Sequence, residues 1–266
     1  ELSPAAFGVR AARELAEKIE ELGTRRVAAF IGEPVQGAGG VIIPPDTYWP
    51  EIQRICDHYG ILLVSDEVIC GFGRTGSWFG CEHFGTRPDL MPIAKAMSSG
   101  YLPIGGLMVA DRVAEVLIEK GGEFAHGFTY SGHPAACAVA VECIDILRRE
   151  RVVERVRDEL AGYFAARWAS LAAHPLVGEA RSVGLLGALE LVPARPARRF
   201  FEKRGEVGTI CRDLCVENGV VSRAVRDTMI CAPPLVITPA EIDELVARIG
   251  RALDQTAAVV ARERRV

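Results

Sequence analysis

Short apolar runs separated by helical patterns are the feature that most constrains the fold of this chain. The runs lie at residues 26–34, 61–68, 90–94 and 104–110, and apolar residues dominate each of them. Near-continuous apolar strands that alternate with helices are typical of a mainly parallel sheet covered by helices on both faces. The sequence therefore predicts an α/β fold, with buried strands, for the first part of the chain.

Capping and stop residues predict helices between these runs. One helix is expected over residues 3–23, with Ser3 as its N-cap, and another over 46–60, with Asp46 as its N-cap and Gly60 as its stop. Short polar side chains favour helix starts and glycine favours helix ends. A further helix is expected to follow the last apolar run.

The second part of the chain has a different pattern. A long, highly charged helical stretch runs from Pro134 to about residue 173, and we place a domain boundary within it. A chain of 266 residues is long enough for two domains. The prediction is a large domain over 1–160 and a smaller α+β domain over 161–266. The elements expected after the long helix are a strand (185–192), an exposed loop (193–205), a helix (206–218), two strands (219–223 and 228–232) and a helix from Thr238.

Composition excludes several classes of protein. The net charge of −4 gives no basic field for nucleic acid, and no apolar stretch is long enough to cross a bilayer. The eight cysteines form no CxxC pair, and no cluster with histidine completes a metal site. Scattered cysteines of this kind are typical of reduced thiols in a cytoplasmic protein, which is the location we expect.

A glycine-rich segment, GFGRTG at 71–76, has the spacing of a dinucleotide-binding motif. That motif would directly follow a strand, open a helix and be followed about 20 residues later by an acid. Here the residues DEVIC lie between the strand and the glycines, and the acids Asp66 and Glu67 precede the glycines instead of following them. We interpret the segment as a turn at the edge of an active site and keep a dehydrogenase as the alternative.

Ionisable residues follow two of the predicted strands. Asp66 and Glu67 end the run at 61–68, and Lys95 follows the run at 90–94. Ligands of open α/β sheets bind outside the carboxyl ends of the strands. A lysine at this edge can bind an aldehyde cofactor covalently by forming an imine with it. The alternatives are a capping or ion-pair role for the acids and a surface position for the lysine.

Four motifs in order resemble those of the class III aminotransferases of pyridoxal-5′-phosphate (PLP) fold type I. They are EPVQGAGG (33–40), DEVICGFGRTG (66–76), AKAMSSGYLPIGG (94–106) and HGFTYSGHP (126–134). The resemblance extends along essentially the whole chain. Two C-terminal segments, 174–192 and 222–245, are similar to those of the subgroup that uses pyruvate as amino acceptor. This subgroup includes the polyamine:pyruvate and ω-amino acid:pyruvate enzymes. The resemblance implies PLP as cofactor and a homodimer with shared active sites.

The resemblance also implies roles for individual residues. Lys95 matches the lysine that binds PLP as a Schiff base and carries the proton between the substrate Cα and the cofactor C4′. Asp66 matches the carboxylate that pairs with the pyridine nitrogen, and Val68 the apolar residue packed on the ring. Thr129 matches the residue that reaches the phosphate in the neighbouring subunit, and Phe128 is placed beside it at the cofactor.

Substrate recognition is implied for a mobile arginine. Arg223 matches the arginine that binds the carboxylate of pyruvate and swings aside for an amine. Arg226 is a second candidate, at a position where glycine is expected. The branch that acts on 4-aminobutyrate has its arginine where this chain has Ile230. Glu33 matches an acid near both cofactor and substrate, which in relatives pairs with a mobile arginine.

The function implied is transfer of an amino group from an amine, polyamine or ω-amino acid to pyruvate. A 4-aminobutyrate or diaminopelargonate type aminotransferase remains open, as does a truncated relative without activity. The family has an N-terminal segment with a Gly-Ser loop for the phosphate and an aromatic residue that stacks on PLP. The 266 residues do not include it, so we expect a fragment of a longer protein or a truncated gene.

Overall fold

The computed structural model describes residues 2–194 and 199–263, which form two compact units. The first unit consists of the residues up to Val35, Pro44–Gly73 and Ser77–Val153, and the second of Gln36–Ile43, Arg74–Gly76 and the residues from Glu154 onward. The predicted domain boundary at residue 160 stays a prediction. Within the described residues, no helix combines the length and apolar character needed to cross a membrane.

The first unit contains a four-stranded sheet in the order β1-β2-β3-β4. The strands are β1 (Ala29–Gly32), β2 (Leu62–Ser65), β3 (Leu90–Ile93) and β4 (Gly106–Val109). The first three are parallel, as expected, and β4 is antiparallel to β3. The connection from β3 to β4 contains only one turn of 3-10 helix, Lys95–Ser98, so the chain reverses instead of crossing over.

The helices of the first unit are α1 (Pro4–Leu22), α2 (Tyr48–Tyr59), α3 (Gly80–His83), α4 (Asp111–Lys120) and α5 (Pro134–Arg149). The start of α1 is confirmed, because the Ser3 side chain accepts a hydrogen bond from the Ala6 N–H at 3.2 Å. The cap predicted for α2 is wrong. Its N-cap is Thr47, not Asp46, and the Thr47 hydroxyl donates to the Ala5 carbonyl of α1 instead of capping.

Burial of the predicted strands differs along the sheet. Leu63 and Val64 of β2 are buried, as expected for a central strand. By contrast, Leu107 and Met108 of β4 and Ile31 of β1 are exposed, so the prediction of buried strands is wrong for both edge strands of this sheet. An apolar run predicts a strand, but burial depends on which elements pack against it.

The long helical stretch predicted from Pro134 to about residue 173 is not continuous: it begins with α5 and is then broken into short pieces. After Arg151, whose φ is +51°, the chain forms α6 (Val152–Arg155), a π turn, α7 (Ala161–Ala169) and a 3-10 turn, Ser170–Ala173. A left-handed φ is incompatible with a continuous right-handed helix. The break at Arg151 therefore ends α5 as a separate element.

The second unit has an antiparallel sheet in the order β5-β6-β8-β7, together with α8 (Glu206–Glu217) and α9 (Pro239–Glu263). Its strands are β5 (Val177–Val183), β6 (Leu186–Leu191), β7 (Arg223–Val225) and β8 (Thr228–Cys231). The strand β5 was not predicted, and β7 begins where the strand expected at 219–223 was to end. The start of α9 is confirmed, because Thr238 and Glu241 exchange hydrogen bonds as a capping box.

The core of the second unit lies between its sheet and its helices. Phe164 and Trp168 of α7 stack at 5.3 Å between ring centroids, and the Trp168 indole donates to the Ala188 carbonyl of β6. The loop expected at 193–205 contains no regular element where it is described, although Phe201 is buried in this core. Residues 195–198 of that loop lie outside the described residues.

Candidate active site

The carboxyl ends of three neighbouring parallel strands converge in the first unit. Glu33 follows β1, Asp66 follows β2, and Lys95 lies two residues after the end of β3. Since β2 pairs in parallel with both β1 and β3, these ends lie at the same edge of the sheet. The structure thus brings together at one edge three of the residues singled out from the sequence.

The main chain of Asp66 and Glu67 is tied to both neighbouring strands. The Asp66 N–H donates to the Gly32 carbonyl of β1 at 2.9 Å, and the Glu67 N–H donates to the Pro92 carbonyl of β3 at 3.0 Å. These two bonds continue the sheet beyond the last residue of β2. The two acids therefore begin at fixed positions rather than in a loose loop.

The Asp66 carboxylate is oriented by its own turn. Its Oδ1 accepts a hydrogen bond from the Val68 N–H at 3.1 Å, the geometry by which Asp side chains stabilise turns. Asp66 and Val68 are both half-buried. An oriented carboxylate and an apolar side chain are thus fixed within three residues of each other at the strand edge.

Glu67 points into the protein, in contrast to its neighbour. It is fully buried, and its carboxylate accepts hydrogen bonds from the backbone N–H groups of Gly80 and Cys81 at 2.7 Å and from the Ser65 hydroxyl at 3.0 Å. Burial raises the pKa of Glu67, and these donors act in the opposite direction. The sequence placed both acids at the strand end but did not distinguish their directions, because that depends on where residues 80 and 81 lie.

Lys95 lies at a sharp turn directly after β3. Its φ is +44°, a left-handed conformation that is uncommon for residues other than glycine. It opens the 3-10 turn Lys95–Ser98, which is held by a bond from the Met97 N–H to the Ala94 carbonyl at 3.0 Å. Lys95 is exposed, which agrees with the surface position that the sequence left open, and its amine is accessible from a fixed turn.

The glycine-rich segment forms turns rather than a helix start. Phe72 has a φ of +63° and its N–H donates to the Trp78 carbonyl, closing the segment on itself. The Gly71 N–H bonds back to the Glu67 carbonyl at 2.8 Å. This geometry differs from that of a dinucleotide motif, in which the glycines lead into a long helix.

Thr129 and Phe128 lie in an exposed segment between α4 and α5. Phe128 is 78% exposed, and its N–H donates to the Ser131 hydroxyl at 2.9 Å within the segment. The helix that follows, α5, packs against the turn that begins at Lys95. The structure therefore places these two residues on the surface of the first unit and does not bond them to Asp66 or Lys95 within the described residues.

Arg223 and Arg226 lie in the second unit, on the hairpin of β7 and β8. Arg223 begins β7 opposite Ile230 of β8, so the two side chains share one face of the sheet. Arg226 occupies the turn with a φ of +53°, and both arginines are exposed. The neighbouring Asp227 is buried and anchors the turn by accepting hydrogen bonds from the N–H groups of residues 205 and 208.

A further arginine that the sequence did not reveal lies on the same sheet. Arg181 of β5 donates to the carbonyls of Gly40 and Val41 at 2.7 and 2.8 Å and contacts Glu179 and Glu190. It thereby holds the glycine-rich stretch 36–43 within the second unit. No local pattern around Arg181 signals its bonds to the carbonyls of Gly40 and Val41, because these lie about 140 residues earlier.

Comparison with known proteins adds three findings. Residues 6–253 match the family described as aminotransferase class-III. The chain is 59% identical over 260 residues to a putrescine–pyruvate aminotransferase of Pseudomonas aeruginosa, covering 98% of this chain and 57% of that protein. It is 43% identical over 253 residues to a mitochondrial gamma aminobutyrate transaminase of Solanum lycopersicum, covering 94% of this chain and 49% of the relative.

The fold is also similar to that of solved structures. A thermostable omega transaminase variant engineered for asymmetric synthesis of bulky amines superposes with a TM-score of 0.94 at 42% identity, covering 97% of this chain and 58% of that one. The chain thus spans between 49% and 58% of the length of these proteins.

Proposed function

The chain belongs to the class III aminotransferases, and from that premise we propose that it forms part of an enzyme that transfers an amino group from an amine, polyamine or ω-amino acid to pyruvate. The products are an aldehyde or keto acid and alanine. The observation that carries the proposal is the position of Asp66 and Lys95 at the carboxyl ends of two neighbouring parallel strands. A carboxylate and an amine at one sheet edge are the two groups that this chemistry requires.

The family uses PLP, and the residues at the strand edge fit the ring end of that cofactor. Asp66 offers an oriented carboxylate for the ring nitrogen, Lys95 an accessible amine for the aldehyde carbon, and Val68 an apolar side chain for the ring face. When bound, PLP supplies a carbon that holds the amino group and a ring that accepts the electron pair released at the substrate Cα.

The protein residues then have separate tasks in the proposed reaction. The Asp66 carboxylate holds the proton on the ring nitrogen by charge, which keeps the ring able to accept electrons. The Lys95 amine holds the cofactor and moves a proton between the substrate Cα and the cofactor C4′. Its sharp turn fixes where the side chain starts, while the exposed side chain retains the freedom to transfer the proton.

The β7–β8 hairpin supports the choice of pyruvate as acceptor. Arg223 offers a guanidinium that binds a carboxylate through two parallel hydrogen bonds. In the 4-aminobutyrate branch the arginine is expected at the position of Ile230, which lies directly across the hairpin. In this chain Arg223 of β7 and Ile230 of β8 share one sheet face, so the arginine lies on β7 and the facing position of β8 is apolar. We also assign Glu33, which follows β1 at the strand edge, to substrate binding.

We propose that the enzyme is a homodimer with Thr129 and Phe128 at the cofactor phosphate of the neighbouring subunit. The surface of the first unit exposes several large apolar side chains, which is typical of a surface that a partner covers. They include Tyr101, Ile118, Phe124, Phe128 and Tyr130. A cytoplasmic location fits the eight unpaired cysteines, seven of which are buried.

The test is an amine profile measured on the protein as its gene encodes it. We expect visible absorbance from bound PLP and alanine formation from pyruvate with putrescine as donor. A preference for 4-aminobutyrate with 2-oxoglutarate would replace the pyruvate assignment with the alternative branch. Colourless protein that forms no alanine with any donor, even after incubation with PLP, would contradict the proposal and favour a relative without activity.

A further inference from the structure

The Glu67 carboxylate is the buried ionisable group closest in sequence to the proposed catalytic residues, and the proposed chemistry does not use it. Fully buried glutamates are rare, because removing a carboxylate from water is costly unless donors replace the water. Here three donors at 2.7, 2.7 and 3.0 Å surround the two oxygens. The protein is therefore built to accommodate an ionised carboxylate at this point.

The contacts of Glu67 connect β2, β3, α3 and the glycine-rich turns. Its side chain binds Ser65 at the end of β2 and two N–H groups at the start of α3, and its N–H binds β3. Its carbonyl accepts the Gly71 N–H at the start of the glycine-rich turns. There is little free space around these contacts, since a Cβ on Gly80 would lie 2.7 Å from Pro34 and 2.8 Å from Cys70.

The position of Glu67 in the chain links these contacts to the site. It is the single residue between Asp66 and Val68, and those two are also joined by the bond from the Val68 N–H to the Asp66 Oδ1. A movement of Glu67 therefore displaces the carboxylate and the apolar side chain together.

We propose that Glu67 is a positioning residue that fixes Asp66 and Val68 against the cofactor ring by anchoring the peptide between them to α3 and β2. The inference rests on the proposed function, since it assigns Asp66 and Val68 to the cofactor. Glu67 does not touch the cofactor in this account. It acts only through its two neighbours.

Replacement by glutamine reveals this role because the two side chains have nearly the same shape. One glutamate oxygen accepts from Ser65 and Cys81, and the other accepts from Gly80. A glutamine amide has one oxygen, so its NH2 group must face one of the two backbone N–H groups. Two donors then oppose each other in a buried site, and either the side chain or α3 must move.

The experiment compares Glu67→Gln with the wild type in the protein as its gene encodes it. Three quantities are measured: the rate of PLP release, the single-turnover rate of the amine half-reaction per bound cofactor, and the KM for pyruvate. We expect PLP release to accelerate and the half-reaction to slow, each by roughly tenfold or more, while the KM for pyruvate changes little. Glu17→Gln, which changes an exposed acid of α1, is the matched control and should resemble the wild type.

The rate per bound cofactor separates positioning from simple stability. A variant that is only less stable has fewer active molecules, but each molecule that holds PLP reacts at the normal rate. Unchanged release and an unchanged rate per bound PLP in folded Glu67→Gln would overturn the inference. If the wild type itself bound no PLP, the proposed function would fail first, and the two failures are thus distinguishable.

Ser65→Ala keeps the inference testable if Glu67→Gln does not fold. It removes one of the three donors and leaves both backbone bonds to the carboxylate. We expect a smaller effect in the same direction on PLP release and on the rate per bound cofactor. Wild-type values for both quantities in Ser65→Ala, when Glu67→Gln cannot be measured, would count against the inference.

Discussion

Replacing Asp66 by asparagine separates charge from geometry at the proposed cofactor site. The Asp66 Oδ1 accepts the Val68 N–H at 3.1 Å, and an amide oxygen can accept the same bond. The backbone bond from residue 66 to the Gly32 carbonyl does not depend on the side chain. We therefore expect Asp66→Asn to fold normally and to keep the turn, losing only the negative charge.

The size of the effect follows from that single charge. Two opposite charges about 4 Å apart interact by roughly 4 kcal/mol at the effective dielectric of a partly buried site. Asp66 is half-buried, so we expect about 3 to 4 kcal/mol to be lost from the proton-transfer step. This corresponds to a rate decrease of roughly 150- to 900-fold.

The assay is the single-turnover rate of the amine half-reaction, measured with saturating amine on the protein as its gene encodes it. Asp57→Asn, at an exposed position of α2, is the control and should react at the wild-type rate. A folded, PLP-saturated Asp66→Asn variant that reacted at the wild-type rate would refute the role of the Asp66 charge.

Further predictions concern the subunit interface, the acceptor and acid stability. Thr129→Ala should accelerate the release of PLP, and the acceleration should be larger at protein concentrations that favour the dimer than at dilution that dissociates it. Equal rates of PLP release from mutant and wild type would remove Thr129 from the site. Arg223→Ala should reduce kcat/KM for the pyruvate half-reaction by roughly 30- to 150-fold and spare the amine half-reaction, whereas Arg226→Ala should change little. A larger pyruvate defect in the Arg226 variant would show that the other arginine binds the carboxylate. Burial alone would raise the pKa of Asp89, but its bonds to Arg112 and to a backbone N–H of β2 hold that pKa below its usual value. The stabilisation is present above the pKa of an unfolded aspartate and is lost as the pH falls through the folded pKa. Arg112→Ala should therefore lower the melting temperature at neutral pH but hardly at strongly acid pH, and an equal decrease at both would contradict this linkage.

The strand-edge part of the site could be predicted from the sequence because it depends on local pattern. Apolar runs give the strands, and the parallel arrangement places the residues that follow them at one edge. Asp66 and Lys95 were placed there on this basis alone. Family resemblance was needed to assign them chemical roles.

Other features depend on contacts between distant residues and could not be predicted. The direction of Glu67 is set by two N–H groups more than ten residues later in the chain. The Thr47 hydroxyl at the start of α2 binds α1, 42 residues earlier, instead of capping its own helix. Local sequence carries no signal for such bonds.

The strands of the second unit show the same limitation. Glu179 and Arg181 interrupt the apolar pattern of β5, so the sequence of this segment does not indicate a strand. Its pairing with β6, across the hairpin at Gly184, defines it as a strand. A Cβ on Gly184 would lie 2.3 Å from the Arg74 carbonyl, so glycine is required there by a partner that is remote in sequence. The hairpin is therefore clear in the structure, although the sequence gives only a weak signal for it.

The central claim is that Lys95 holds the cofactor, and chemical trapping tests it most directly. Borohydride reduction of the PLP-loaded protein, as its gene encodes it, makes the bond between cofactor and lysine permanent, and peptide mass spectrometry then identifies the modified residue. We predict a phosphopyridoxyl group on Lys95 and on no other lysine, Lys18, Lys120 and Lys203 included. Stoichiometric modification of a different lysine, with Lys95 unmodified, would contradict the account.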